Sequence, residues 1–224
     1  AKIEQTQGDC NALKELAIQA SEIGEYAEAV GVWQKVIERQ PNDAVAHMKL
    51  GVAFLMMRQH AKAVESSKKA MAIDRELREA ALNYSAASMF AGDIRTAIST
   101  LEHLLERHAD YPPAMGRLAA AYIVSGRKAD GLRCLEKLNS RGFDCAGACE
   151  EQARAFLSES KHEAAALLLT AAIEKGIGNG RLSHLLAECR SRIDGDLPLC
   201  EPPALSPAHS TQKSREPVEN RAGV

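Results

Sequence analysis

The sequence predicts an all-α solenoid of about five antiparallel helix pairs closed by a C-terminal capping helix. Three observations carry that expectation. The same two-helix pattern returns every 34 residues from Cys10 to Asn179, five times and with no insertion or deletion. Within each block the eighth and twentieth places are small. Finally, 46% of the residues are hydrophobic while only 4% are aromatic, the balance expected of alanine-rich helices packed at close range. A unit of this length cannot bury its own apolar face, so copies stack and bury it against one another.

Residues 1–9 are polar and read as a frayed or incomplete leading helix, with Asp9 placed to cap the first full one. The blocks then span 10–43, 44–77, 78–111, 112–145 and 146–179. Their eighth places are Ala17, Gly51, Ser85, Ala119 and Ala153, and their twentieth places Ala29, Ala63, Ala97, Gly131 and Ala165. Bulkier groups such as Trp33, Leu101, Leu135 and Leu169 follow four places later. Helices approach to about 8–10 Å where small side chains meet, and large neighbours fill the flanks. Gly24, Gly92 and Gly126 hold the fifteenth place, where the chain reverses between the two helices of a block. Arg58 and Ser160 stand there in the other two.

Asp43, Asp110 and Asp144 precede first helices, Asp110 ahead of a Pro112-Pro113 first turn. After a loop carrying Gly176, Gly178 and Gly180, residues 181–193 read as the capping helix. Its face of Leu182, Leu185, Leu186 and Ile193 would hide the last apolar surface of the stack. Residues 194–224 hold five of the eight prolines. This tail is expected to be disordered unless it docks, because it buries too little to offset its ordering entropy. Pro198 to Leu205 is its one stretch apolar enough to occupy a groove.

Ile23-Gly24-Glu25-Tyr26-Ala27-Glu28-Ala29-Val30, Gln40-Pro41-Asn42-Asp43 and Leu50-Gly51-Val52-Ala53-Phe54 resemble the patterns of the tetratricopeptide repeat (TPR) family. The resemblance runs over some three quarters of the chain. It implies a right-handed superhelix whose first helices line a concave face. The sequence also departs from the family pattern. The family's tryptophan near the block start is replaced by Leu13, His47, Ala81, Met115 and Cys149. Only Pro41 keeps the closing proline, and Gln152 stands where earlier blocks have Leu16, Leu50, Tyr84 and Leu118.

Helical periodicity assigns places 2, 5, 6, 9, 12 and 13 of each first helix to the inner surface. Read off, they form an apolar trough: Met48, Val52, Leu55 and Met56; then Leu82, Ala86, Met89 and Phe90; then Ala120, Ile123 and Val124, with Leu157 beyond. Contiguous apolar surface of this kind marks binding sites, and methionines suit one that adapts to its ligand. Beside it, the sixth places read Glu15, Lys49, Asn83, Arg117 and Glu151, with Arg154 near the far end. Lys49, Asn83 and Arg117 resemble part of the clamp with which some family members grip a peptide carboxylate. The expected function is therefore a non-enzymatic adaptor. It would bind a peptide or amphipathic segment of a partner protein, with these three residues bonding its acidic or carbonyl groups.

Competing readings remain at this level. A tighter superhelix, or self-association through the trough, would bury the same Met, Leu and Phe side chains as ordinary core. A separate alternative is a self-assembling scaffold on a membrane or organelle surface, with contacts made by the ends, the convex face or the tail inserted in a neighbour's groove. A chaperone for a pilus or secretion assembly is a special case of the adaptor.

Other classes are disfavoured. A net charge of −2 provides no footprint for nucleic acid. No run nears the roughly 18–20 apolar residues of a membrane span, so no direct membrane insertion is expected. A cytoplasmic location, with peripheral membrane association as the alternative, is the expectation. The start at Ala1-Lys2, without methionine, leaves room for an upstream targeting segment. The six cysteines do not make a disulfide framework and read as reduced thiols of an intracellular protein. Cys145 and Cys149 are spaced i, i+4, but without a CxxC pair a metal site is not expected. His103 and His108 are five apart and face different ways, and the glycines of 176–180 follow a helix rather than a strand. With no catalytic motif in view, neither enzyme activity nor a cofactor is expected.

Overall fold

The computed structural model describes residues 2–178 and 180–195. Among them are eleven helices and no strand: α1 Lys2–Glu22, α2 Tyr26–Arg39, α3 Ala44–Met56, α4 His60–Ile73, α5 Arg78–Phe90, α6 Ile94–Arg107, α7 Pro112–Val124, α8 Lys128–Ser140, α9 Cys145–Ser158, α10 His162–Glu174 and α11 Gly180–Asp194. Each odd helix up to α9 packs on the even helix that follows it, in phase with the 34-residue period. The proline-rich stretch from 196 onward, Pro198 to Leu205 included, lies outside the described residues.

The small places do what close packing requires. Ala17, Ala29, Ala63, Ser85, Ala97, Ala119, Ala153 and Ala165 have no exposed surface, and Trp33, Leu101, Leu135 and Leu169 are buried around them. The two glycines in the series mark the tightest approaches. A Cβ on Gly131 would stand 2.7 Å from the Ala119 carbonyl oxygen and 2.6 Å from Ile123 Cγ1, so α7 and α8 meet backbone to backbone. On Gly51 it would stand 2.6 Å from Ser67 Oγ. One apolar core runs through α1–α4 around Trp33, Val36, Leu50 and Phe54. A larger one runs from α5 to α11.

Helix starts follow side-chain capping, with two corrections to the sequence reading. Asp43 accepts from the Ala46 N–H at 2.9 Å and Asp144 from the Gly147 N–H at 2.8 Å, as placed. Asp93 does the same for α6 through the Thr96 N–H. Asp9, however, is interior to α1, which continues through it to Lys2. Tyr111 holds the cap position before Pro112, while Asp110 pairs with Arg141 at 2.5 Å. In the reversals, Gly24, Gly92 and Gly126 have positive φ, and so do Arg58 (φ 56°) and Ser160 (φ 58°), which carry the steric cost of a Cβ there.

The fifth pair breaks the regular progression. α2 packs closely on α3, α4 on α5 and α6 on α7, but α8 only grazes α9. Of the preceding helices α9 lies chiefly on α7, and α10 reaches α7 as well. Gly116 permits this, because a Cβ there would sit 3.1 Å from that of Ala148. α11 closes the end against α10 and α9, burying Leu182, Leu185 and Leu186. Ile193, expected on that buried face, is exposed instead, at the rim of a cleft with Val124 and Leu167.

Candidate functional site

The inward lean of α9 divides the expected trough into an open and a closed half. In the open half, α3 presents Val45, Lys49, Val52 and Met56 along one face, with Leu55 half-buried beside them. Met56 is 55% exposed and Val45 48%, while Ile18, which holds in α1 the place that Val52 holds in α3, is 40% exposed. Lys49 is exposed and has no ion-pair partner among the described residues. Asn83 of α5 is half-buried on the next first helix.

In the closed half the expectation of a free surface is corrected. Ala86, Met89, Ala120 and Ile123 are buried, Met89 at 2% and Ile123 at 4% exposure. Met89, Ala120 and Ile123 share one core cluster with Ala153, Phe156, Leu168 and Leu169 of the fifth pair, and Phe90 and Val124 pack half-buried on its edge. Met48, too, is core, with Ala70 and Ala80. The physical cause is the lean of α9 and α10 over α7, which supplies apolar neighbours where an open channel was expected.

Arg117 is likewise no free clamp. Its Nη1 donates to the Leu82 carbonyl oxygen on α5 at 2.8 Å and its Nε to Gln152 Oε1 on α9 at 3.3 Å. Burial pushes the guanidinium below its ordinary pKa, against the opposing pull of Glu151 and Tyr111. Gln152, anomalous as a sequence position, is thereby explained: it is buried and accepts from Arg117. Arg154 is exposed and pairs with Glu150 at 2.9 Å one turn away.

Sequence reading missed one cluster altogether, at the edge where the α9–α10 turn meets α3–α4 and α5. Glu159 Oε2 lies 3.0 Å from His60 Nε2 and 3.9 Å from Arg58 Nε. Lys161 Nζ donates to the carbonyls of Phe90 at 3.0 Å and Met89 at 3.2 Å, over the Phe90 ring. Phe156 meets Phe90 edge-on, and the His60 ring lies tilted against Phe90 at 5.8 Å. The available signal was the absence of turn glycine in just these two blocks, at Arg58 and Ser160.

The outer surface carries clefts between second helices. One of about 420 Å³ between α6 and α8 is lined by Glu102, Leu105, Met115, Tyr122, Cys134 and Arg141. Tyr122 donates to Glu102, and burial followed by that bond pushes its phenol up to about 12. Burial raises Cys134 as well and takes Cys149 to about 12 and Cys189 to about 11, so these thiols stay protonated at neutral pH. Among the described residues no group of three His, Cys, Asp or Glu side chains is placed to hold a metal ion. His103 pairs with Glu106 at 3.1 Å. No helix among them is long and apolar enough to cross a membrane.

Stacked helix hairpins with a one-sided inner face define a helical-repeat solenoid, a class built for holding other chains. Models of the tetratricopeptide repeat match residues 15–74 and 88–148, together more than half of the sequence. The chain belongs to the tetratricopeptide repeat family. Among solved structures it is similar to MamA at 18% identity, covering 86% of this chain and 98% of that one with a TM-score of 0.55. It is also similar to YrrB, described as a TPR protein with an unusual peptide-binding site (16% identity, 82% and 94% covered, TM-score 0.58). A third is a thermophilic TPR protein of Thermus thermophilus, TTC0263 (17% identity, 81% and 98% covered, TM-score 0.57). At such identities the likeness is one of fold. A search of curated proteins gave no match.

Proposed function

We propose that this chain is a non-enzymatic adaptor that takes an apolar segment of a partner protein along the open inner face of α3. The observation that carries the reading is the stripe Val45, Lys49, Val52 and Met56, apolar and accessible around an ammonium with no ion-pair partner among the described residues. Such a stripe fits an amphipathic helix or extended strand whose apolar residues pack on Met56 and Val52 and whose carboxylate or carbonyl oxygens meet Lys49. Asn83, the next polar residue inward, adds a donor and an acceptor. Family membership supports the same mode, and a peptide-binding site is described for YrrB.

The double variant Lys49→Glu/Met56→Glu tests this, because both side chains are exposed and their exchange leaves the core intact. In affinity capture from the native host, proteins retained by the wild type should be lost from the variant, with unchanged circular dichroism and melting. An identical captured set rejects the site. A scaffold of self-associating copies has its own observation in Leu16 of α1 and Ile23 just past its end, both exposed at the first repeat of the stack. Mass by light scattering that rises with concentration, and falls back on Leu16→Glu/Ile23→Glu, would favour it over the adaptor.

A further inference from the structure

The fifth helix pair contacts regions that lie two and three repeats upstream, which a regularly opening superhelix does not bring together. Three independent contacts make the closure. Glu159 faces His60 and Arg58 across 101 positions of sequence at its most distant. Lys161 bonds the last two carbonyls of α5, which carry the negative end of the helix dipole; that of Met89 also accepts from the Gly92 N–H at 3.2 Å. Phe156 closes on Phe90. Two of the residues involved in these turns, Arg58 and Ser160, keep a left-handed backbone without glycine. Arg58 brings to its turn a guanidinium 3.9 Å from Glu159, which glycine would lack. The junction that would let the pair swing, α8 against α9, is the most thinly packed in the stack.

We propose that the α9–α10 turn is an intramolecular plug, latched by Glu159 and Lys161, that closes the inner face of α5 and α7, and that releasing it uncovers Met89, Ala120 and Ile123. The hinge is the Arg141–Asp144 connection, with Gly142 at positive φ. The channel then extends from the open α3 stripe into its closed half, so the latch sets how much of the face a partner segment can occupy. The plug stands on the contacts alone; only what enters the opened channel rests on the adaptor reading.

Hydrogen exchange of the full chain, read by mass spectrometry, tests the latch without any partner. In Glu159→Gln/Lys161→Gln, segments covering Met89–Gly92 and Leu118–Val124 should exchange about tenfold faster than in the wild type, with α2 and α4 unchanged. The maximum dimension from solution X-ray scattering should rise. Lys161→Met alone keeps the stem on Phe90 and removes only the carbonyl bonds, and should show the same change more weakly. If the double variant unfolds, this second variant decides. Exchange equal to wild type in both segments of a folded variant overturns the proposal whatever capture experiments show. Faster exchange with no gain in captured partner keeps the latch and removes the closed half from the adaptor's site.

Discussion

Gly131 shows how a single hydrogen atom can set the distance between two helices. The twentieth place is alanine in the other four blocks, yet here even a methyl group would strike the Ala119 carbonyl oxygen, which cannot rotate away. Gly131→Ala should therefore destabilise by about 1–3 kcal/mol in urea denaturation, through overpacking. Gly31, in the interior of α2 where an added methyl group would meet nothing within 4 Å, should behave in the opposite way. Gly31→Ala should stabilise by about 0.5–1 kcal/mol, because alanine loses less backbone entropy in a helix. The pair of measurements separates packing from propensity at two glycines that look alike in sequence.

At the scale of the element, the aspartate caps decide where helices begin. Asp43 caps α3 and also pairs with Lys14 of α1 at 2.6 Å, joining the first and second repeats. Burial acts to raise its carboxyl, but the bonds from Lys14 and Ala46 and the Lys14 charge outweigh it, and the net direction is downward. A carboxylate held below its unfolded value contributes stability that is present above that value and is lost as pH falls through the folded one. Stability should thus decline in acid below about pH 4, and Asp43→Asn should flatten that part of the profile. Asp43→Ala should cost about 1 kcal/mol at pH 7, measured by the denaturation midpoint. Asp9 and Asp110 show why such residues can mislead: the same side chain precedes apolar periodicity in each case, and only the course of the preceding chain decides whether a helix starts there.

The whole molecule is held in its curvature by ties between non-adjacent elements. Arg117 is one, spanning α5, α7 and α9 through Leu82 and Gln152. Arg117→Met should lower stability by about 2 kcal/mol, since it leaves the buried Gln152 amide oxygen without its donor and removes one of the two side-chain donors, Ser85 being the other, from the Leu82 carbonyl. Its effect should appear in the unfolding transition rather than in partner capture, which distinguishes it from Lys49. The small and large places were legible in sequence because they recur in phase and because any helix pair of this length needs them. On α3 the places of Lys49, Val52, Leu55 and Met56 were read by the same periodicity, whereas Met48 is core and Val45 was not named. The burial of Met89, Ala120 and Ile123 was not legible, since periodicity assigns a residue to a face and is silent on what later covers that face.

The chain's own residues determined the repeat, its register and the close crossings at Ala97, Gly131 and Ala165. These are local consequences of side-chain size and a 3.6-residue period. Only the tertiary structure decided which part of the inner face stays open. That choice depends on the lean of α9 at Gly116 and on contacts of Glu159 and Lys161 with residues two and three repeats away, which no local rule encodes.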